Sequence, residues 1–207
     1  MDPLAEKYYP ISPYAYVANN PIMYIDPDGR KIVFAQNVSE DFKKAFAQSV
    51  QHLNKHGASG MMAKLHASET VYYISEKSGG SFYDPNTRTI GWDPSLGALT
   101  EEGHIVSPTT ILNHEVDHAL QHDQNPEQFF NDINTPDPNY GDKEEKRVIT
   151  GSEQDTARKL GEIKEGEVTR TSHSGAILIP VTSSTSTQPA NAVIITPKST
   201  EEDNHKK

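Results

Sequence analysis

Residues 111–120 read Ile111-Leu112-Asn113-His114-Glu115-Val116-Asp117-His118-Ala119-Leu120 and contain the pattern H-E-x-x-H. On a helix, residues four positions apart lie on one face, so His114 and His118 can hold one metal ion together. Zinc takes neutral imidazoles in a tetrahedral shell, and catalytic sites keep one position open for water. Glu115 lies close to the same face and can accept a proton from the attacking water instead of binding the metal. The pattern therefore predicts a zinc site on a helix.

The residues around this pattern favour the helix that such a site requires. Ser107 is a good N-cap residue and Pro108 suits the first helical position. Apolar residues recur on the side away from the two histidines. They are Leu112, Val116, Ala119 and Leu120. One face of the helix should therefore pack into a core while the other presents the histidines.

The composition favours one folded domain with polar segments at its ends. The chain has 207 residues, of which only 34% are hydrophobic, so part of it should lie outside a core. It has no cysteine, which excludes disulfides and cysteine-liganded zinc. The net charge of −10 argues against non-specific nucleic-acid binding, and no apolar run is long enough to span a membrane. We therefore expect neither nucleic acid nor a membrane among its partners.

The first 30 residues are rich in Pro, Tyr and Asn and are expected to be extended or turn-forming. They contain D-P-L-A at residues 2–5, S-P-Y at 12–14, N-N-P at 19–21 and D-P-D-G at 26–29. This series resembles the end of the core of RHS/YD-repeat proteins. In that family a variable toxin or effector domain follows the core. The resemblance implies that this chain is the C-terminal part of a polymorphic toxin.

The same resemblance implies a domain division, partners and a location. We expect residues 1–30 to be an extended RHS-core remnant, 31–182 to be the toxin domain, and 183–207 to be a disordered tail, within which residues 191–196 could add a strand. The implied partners are a protein substrate in a target cell, a cognate immunity protein and the RHS shell of a full-length parent. No secretory signal pattern is present at residues 1–7, so we expect a protein that is secreted or delivered into a target cell as part of its parent.

Several elements of the central domain can be predicted from local patterns. Ser39 should cap a helix whose apolar residues recur at helical spacing, and residues 70–74 are strongly β-prone. Residues 81–92 contain two β-prone runs around a D-P-N-T turn, which predicts a hairpin. A strand edge beside the metal helix can pair with an extended peptide.

A catalytic zinc site needs a third protein ligand, expected here on a helix that faces the H-E-x-x-H helix. Glu144 and Glu145 form the best acidic stretch downstream, in a helix that Asp142 can cap. By spacing alone either glutamate could be the ligand, and Glu153 is a third choice. Both could also be first-turn residues favoured by the helix dipole. His122 would lie more than a turn past the zinc on a straight helix, so we do not expect it to bind.

Three segments together resemble the effector-type zinc metallopeptidases at the tips of polymorphic toxins. They are N-H-E-x-x-H-A at residues 113–119, E-E-x-x-V-I-x-G-x-E at 144–153, and R-T-S-H at 170–173. The resemblance implies an α+β, zincin-like fold of the gluzincin type. In this fold a small sheet or hairpin precedes the H-E-x-x-H helix, and a second helix carries a glutamate ligand.

The resemblance also implies a ligand set and a reaction. Zn²⁺ would be held by His114, His118 and Glu145, with Glu144 as the alternative to Glu145. Glu115 would be the general base and His173 would stabilise the oxyanion. The implied activity is hydrolysis of peptide bonds in a target-cell protein by a zinc endopeptidase. Two other interpretations stay open, a metal-dependent nuclease toxin and an inactive orphan fragment.

Overall fold

The computed structural model describes residues 32–190, which form a mixed α and β domain. The predicted arm at residues 1–30 and the possible strand at 191–196 lie outside the described residues. The helices are α1 (Glu40–Lys55), α2 (Gly60–His66), α3 (Pro108–Gln124), α4 (Pro126–Ile133), α5 (Lys143–Val148) and α6 (Gln154–Leu160), with a π-helical segment (Ile149–Glu153) between the last two. The strands are β1 (Ile32–Phe34), β2 (Tyr72–Glu76), β3 (Phe82–Asp84), β4 (Thr89–Trp92), β5 (Leu96–Thr100), β6 (Ile105–Val106), β7 (Pro136–Asp137), β8 (Gly141–Asp142) and β9 (Ala176–Pro180).

The larger sheet has four strands in the order β1-β2-β4-β3. β1, β2 and β4 are parallel, whereas β3 runs antiparallel to β4 and closes the predicted hairpin. β3 is an edge strand, and no other strand of residues 32–190 pairs with its outer side. The predicted hairpin is therefore present, and it lies at the edge of the sheet.

A second, antiparallel sheet has the order β6-β5-β9, and sequence analysis did not predict it. β5 pairs with β9 across a long separation in sequence, with Ala98 opposite Leu178. β5 contains Gly97 and Ala98, and both residue types are depleted in strands. Local pattern therefore gave no signal for this sheet.

Helix α3 packs its apolar face against the larger sheet and against α1 and α2, as predicted. Ser107 caps it, because the hydroxyl accepts a hydrogen bond from the Thr110 N–H at 3.3 Å, and Pro108 occupies the first turn. The Trp92 indole N–H donates to the Pro108 carbonyl at 2.8 Å and ties the start of α3 to β4. The α3 residues buried in this core are Leu112, Val116, Ala119 and Leu120. The apolar face of α3 is therefore packed into the hydrophobic core, and its histidine face points away from that core.

The segment that carries Glu144, Glu145 and Glu153 is one continuous helical stretch. α5 continues through the π-helical segment into α6 without a break at Gly151. Ser152 lies within the π-helical segment, and its hydroxyl donates to the Asp117 carboxylate on α3. A π-turn holds an extra residue, which changes the face on which later residues lie.

The prediction that the disordered tail begins at residue 183 is wrong, because the ordered chain continues beyond that position. Ser184 is buried, and its hydroxyl donates to the carbonyl of Ala45 in α1. The hydroxyls of Ser49 and Thr109 complete a buried network with Ser184. Residues 183–190 therefore belong to the folded domain, because Ser184 bonds to α1 and α3 and the Ala190 N–H donates to the Pro180 carbonyl. The remainder of the expected tail lies outside the described residues. Within the described part of the chain, no helix is both long and apolar enough to cross a membrane.

Candidate metal centre

The two histidines of α3 point the same ring nitrogen toward a common place. The Nε2 atoms of His114 and His118 are 3.1 Å apart, and both side chains are buried. Each Nδ1 atom points the other way, to a carboxylate. A four-residue helical spacing and a fixed ring orientation therefore bring two potential ligand atoms together.

Glu145 completes the group from the facing helix α5. Its Oε2 lies 3.4 Å from Nε2 of His114, and its Oε1 lies 3.4 Å from Nε2 of His118. Oε2 is buried, and no described residue donates a hydrogen bond to it. Asp142 positions this residue, because its carboxylate accepts a hydrogen bond at 2.9 Å from the N–H of Glu145 itself.

His114, His118 and Glu145 form a buried group that could hold a metal ion. Zinc binds nitrogen and oxygen ligands at about 2.0–2.1 Å, so a tetrahedral shell separates neighbouring ligand atoms by about 3.3 Å. Here the two Nε2 atoms are 3.1 Å apart, and each lies 3.4 Å from a different oxygen of the Glu145 carboxylate. The unpaired carboxylate oxygen and these separations both fit a metal of zinc's size.

Glu153 lies behind His114 and is not part of this triangle. Its carboxylate is 2.8 Å from Nδ1 of His114 and accepts hydrogen bonds from Arg170 and from the Thr169 hydroxyl. A carboxylate in this position fixes the tautomer of a metal-binding histidine and makes its other nitrogen a better ligand. The weakest of the three ligand candidates thus acts as an outer support.

Glu144 has the same relation to His118. Its carboxylate is 3.0 Å from Nδ1 of His118 and receives two hydrogen bonds from Arg147, at 2.8 and 2.7 Å. Arg147 also donates to Asp117 on α3 at 2.8 Å. Glu144 and Glu145 are adjacent in sequence, so they leave the helix in different directions and reach opposite nitrogens of the histidine.

These contacts shift the proton affinities of the group. Burial by itself lowers the pKa of His114, but its contacts with Glu145 and Glu153 outweigh burial and raise the pKa to about 10. Burial of His118 is outweighed in the same way by Glu144 and Glu145, and its pKa rises to about 9. Burial raises the pKa of the Glu145 carboxyl, but its contacts with both histidines more than reverse this effect and hold the pKa below its usual range. The metal-free group therefore holds protons that a metal ion would displace.

Glu115 and His173 flank the triangle and line one cavity of about 690 Å³ with it. Glu115 is buried, and burial raises the pKa of its carboxyl against the lowering effect of the two neighbouring histidines. The side chain of His173 is 57% exposed, and its Nε2 is 3.9 Å from Glu145 Oε2. Arg170 holds the His173 carbonyl at 3.0 Å. The cavity thus brings a buried carboxyl and an accessible imidazole next to the group that could hold a metal ion.

The structure brings together five residues that sequence analysis selected for the site. They are His114, Glu115, His118, Glu145 and His173. It places His122 elsewhere, where Nδ1 lies 2.6 Å from the Tyr83 hydroxyl. Sequence analysis missed the supporting roles of Arg147 and Asp117. The only local signal is the three-residue spacing of Glu144 and Arg147 on one helix, which is common on solvated helices.

Comparison of the chain with protein-family models, with curated proteins and with solved structures finds no match. The described residues form a mixed α and β domain with a buried His-His-Glu group that could bind a metal ion, and the group opens into a cavity.

Proposed function

We propose that this domain is a zinc-dependent endopeptidase with a zincin-like fold, and that it acts as the toxin tip of an RHS protein on a protein of a target cell. The observation that carries the proposal is the convergence of two imidazole nitrogens and one carboxylate, with each histidine supported from behind by an arginine-bound carboxylate. A structural role alone does not require an open cavity beside such a group.

Zinc would be held by His114, His118 and Glu145, and when bound it would supply a Lewis acid that polarises a carbonyl and acidifies water. Glu115, which burial makes more basic, accepts the proton of the attacking water and delivers it to the leaving amine. His173, at the accessible side of the cavity, donates a hydrogen bond toward the oxygen that becomes negatively charged.

The outer edge of β3 is suited to bind an extended peptide substrate next to the proposed metal site. Phe82 and Tyr83 line the same cavity as the metal group, and the backbone groups on the outer side of β3 meet no other described strand. An extended peptide can add to such an edge through backbone hydrogen bonds that do not depend on its sequence. The toxin context comes from the resemblance of residues 1–30 to the end of an RHS core and from the resemblance of residues 113–119, 144–153 and 170–173 to metallopeptidases at the tips of polymorphic toxins.

The proposal is tested with Glu115→Gln in the zinc-loaded protein. We expect unchanged zinc content and a loss of peptide cleavage of about 10²–10⁴-fold, because Gln has the same shape but cannot accept the proton. Mass spectrometry of a digested peptide library measures the cleavage, and metal analysis measures the zinc. The exposed Glu127→Gln is the matched control and should keep wild-type activity. Cleavage by Glu115→Gln at the wild-type rate would refute the assignment of the base.

The nuclease alternative has less support from the cavity. The carboxylates Glu144, Glu145 and Glu153 surround the metal group, and the nearby Arg147 and Arg170 are already bound to two of them. A phosphate backbone needs free cationic partners. Nicking of plasmid DNA by the zinc-loaded wild-type protein, with no peptide cleavage, would favour the nuclease instead.

A further inference from the structure

The cavity at the metal centre has a second wall, formed by one face of the β5–β6–β9 sheet. In the strand register, Ala98 is opposite Val106 on one side and Leu178 on the other, and Thr100 is opposite Ala176. Opposite residues in antiparallel strands point to the same face of a sheet. These five residues therefore share one face, and all five line the cavity.

Helix α3 brings this wall close to the metal group. Ile111 lines the cavity and packs against the cluster that contains Ala98 and Val106. It precedes His114 by three residues, which is about 4.5 Å along a helix. The wall therefore begins within one helical turn of a metal ligand, where a side chain next to the reacting bond would lie.

The chemistry of this wall favours an apolar side chain. None of the five residues on the sheet face is charged. Of the charged groups elsewhere in the cavity, Glu153 is bound to Arg170 and Glu144 to Arg147, while Glu115 and Glu145 belong to the proposed metal and base chemistry. A charged substrate side chain on the wall would lose water without gaining a partner, whereas an apolar one gains by leaving water.

Small and partly exposed residues determine how much room the cavity has beside this wall. Ala98 and Ala176 leave room on the inner face, and Leu178 forms its rim with 46% of the residue exposed. Gly80 lies against this rim, since a Cβ built there would be 3.6 Å from Leu178 Cδ1. Its φ of +145° is a conformation that favours glycine. The loop before β3 thus reaches the rim from the other side of the cavity.

We propose that this wall is a specificity pocket for a large apolar residue of the substrate, of the Leu, Met, Phe or Tyr class, next to the cleaved bond. The inference rests on the proposed peptidase function. It assigns the selection of substrates to Ala98, Ala176 and Leu178, which have no part in the metal chemistry.

The test compares pocket variants with a control on the same strand. Zinc-loaded wild-type protein is given a randomised peptide library, and mass spectrometry identifies the residues beside each cut. We expect one position to be enriched in large apolar residues. Ala176→Phe, which fills the pocket, should lower cleavage of those peptides relative to Gly or Ala peptides by about tenfold or more. Leu178→Ala should shift the preference toward larger aromatic residues. Ile177→Ala should change nothing, because Ile177 is 62% exposed on the opposite face.

A second measurement does not depend on cleavage. Methyl NMR spectra of the protein are recorded with N-acetyl-phenylalanine amide and with N-acetyl-lysine amide as probes. The methyl signals of Ala98, Ala176 and Leu178 should shift with the first probe and not with the second. Cleavage without apolar preference, or equal methyl shifts with both probes, would overturn the pocket and leave the peptidase standing. Absence of cleavage together with selective methyl shifts would refute the peptidase and keep an apolar binding site.

Discussion

At the scale of single residues, one helix presents neighbouring glutamates with different roles. Glu145 should bind the metal, while Glu144 and the more distant Glu153 orient the histidines. Glu145→Ala should therefore lose more zinc affinity than any outer variant. Glu144→Gln and Glu153→Gln should each cost about 10–100-fold, which is typical of groups behind a histidine ligand. Competition with a chromogenic chelator measures the affinities, and His122→Ala is the control that should bind as wild type. Equal losses for Glu144→Gln and Glu145→Ala would contradict the division of roles.

The shifted pKa values at the site predict how the stability of the metal-free protein depends on pH. The folded pKa of His114, about 10, exceeds the unfolded value of 6.5, so its stabilising effect is complete below pH 6.5 and is lost as the pH rises through 10. Burial raises the pKa of Glu153, but its contacts with His114 and Arg170 lower it from 4.5 to about 2, so its effect is present above pH 4.5 and lost as the pH falls through 2.

The free energy of unfolding in the presence of chelator should therefore be highest between about pH 4.5 and 6.5 and should fall toward pH 10. Urea unfolding at a series of pH values measures it. Zinc-loaded protein is the comparison and should instead become more stable from pH 6 to 8, because zinc displaces the protons of His114 and His118. A metal-free protein that gains stability between pH 7 and 10 would show that the histidines do not hold these protons.

At the scale of elements, the short helix α5 should depend on its cap to hold Glu145, the proposed third ligand. Asp142 accepts the hydrogen bond of the Glu145 N–H, so the cap fixes the backbone of the residue that supplies the carboxylate. Asp142→Ala should lower the free energy of unfolding by about 1 kcal/mol and also weaken zinc binding. Asp142→Asn is the control, because Asn caps equally well without the charge. Weakened zinc binding in both variants would mean that the charge matters and the cap does not. Thermal unfolding and chelator competition give the two readings.

At the scale of the whole domain, the cavity exists because two sheets approach α3 from different sides. β3 and the loop with Gly80 form one side, and the inner face of β5 and β9 forms the other. The second sheet lies beside α3, but its strands are separated in sequence. β5 and β6 precede α3, whereas β9 begins only at Ala176. The buried bonds of Ser184 to α1 and α3 then hold the segment that follows β9. The cavity is thus a property of the assembled domain and of no single element.

Short-range geometry is what the sequence by itself determined. The positions of His114 and His118 four residues apart, the cap at Ser107 and the turn between β3 and β4 are all confirmed. Each depends on interactions within a few residues, and such interactions leave regular spacings in sequence. Spacing also placed a glutamate near the histidines, once a facing helix was assumed, but it left Glu144 and Glu145 both open.

Only the tertiary structure decided which side of each histidine a glutamate reaches and where the second wall of the cavity lies. The side chains of the adjacent residues Glu144 and Glu145 leave the helix in different directions, so they reach different nitrogens of His118. The π-helical segment changes the helix face on which Glu153 lies. The pairing of β5 with β9 joins residues about 80 positions apart, as Ala98 and Leu178 show. Such pairing is selected by burial in the whole fold, because strand preference depends on neighbours more than on the residues themselves.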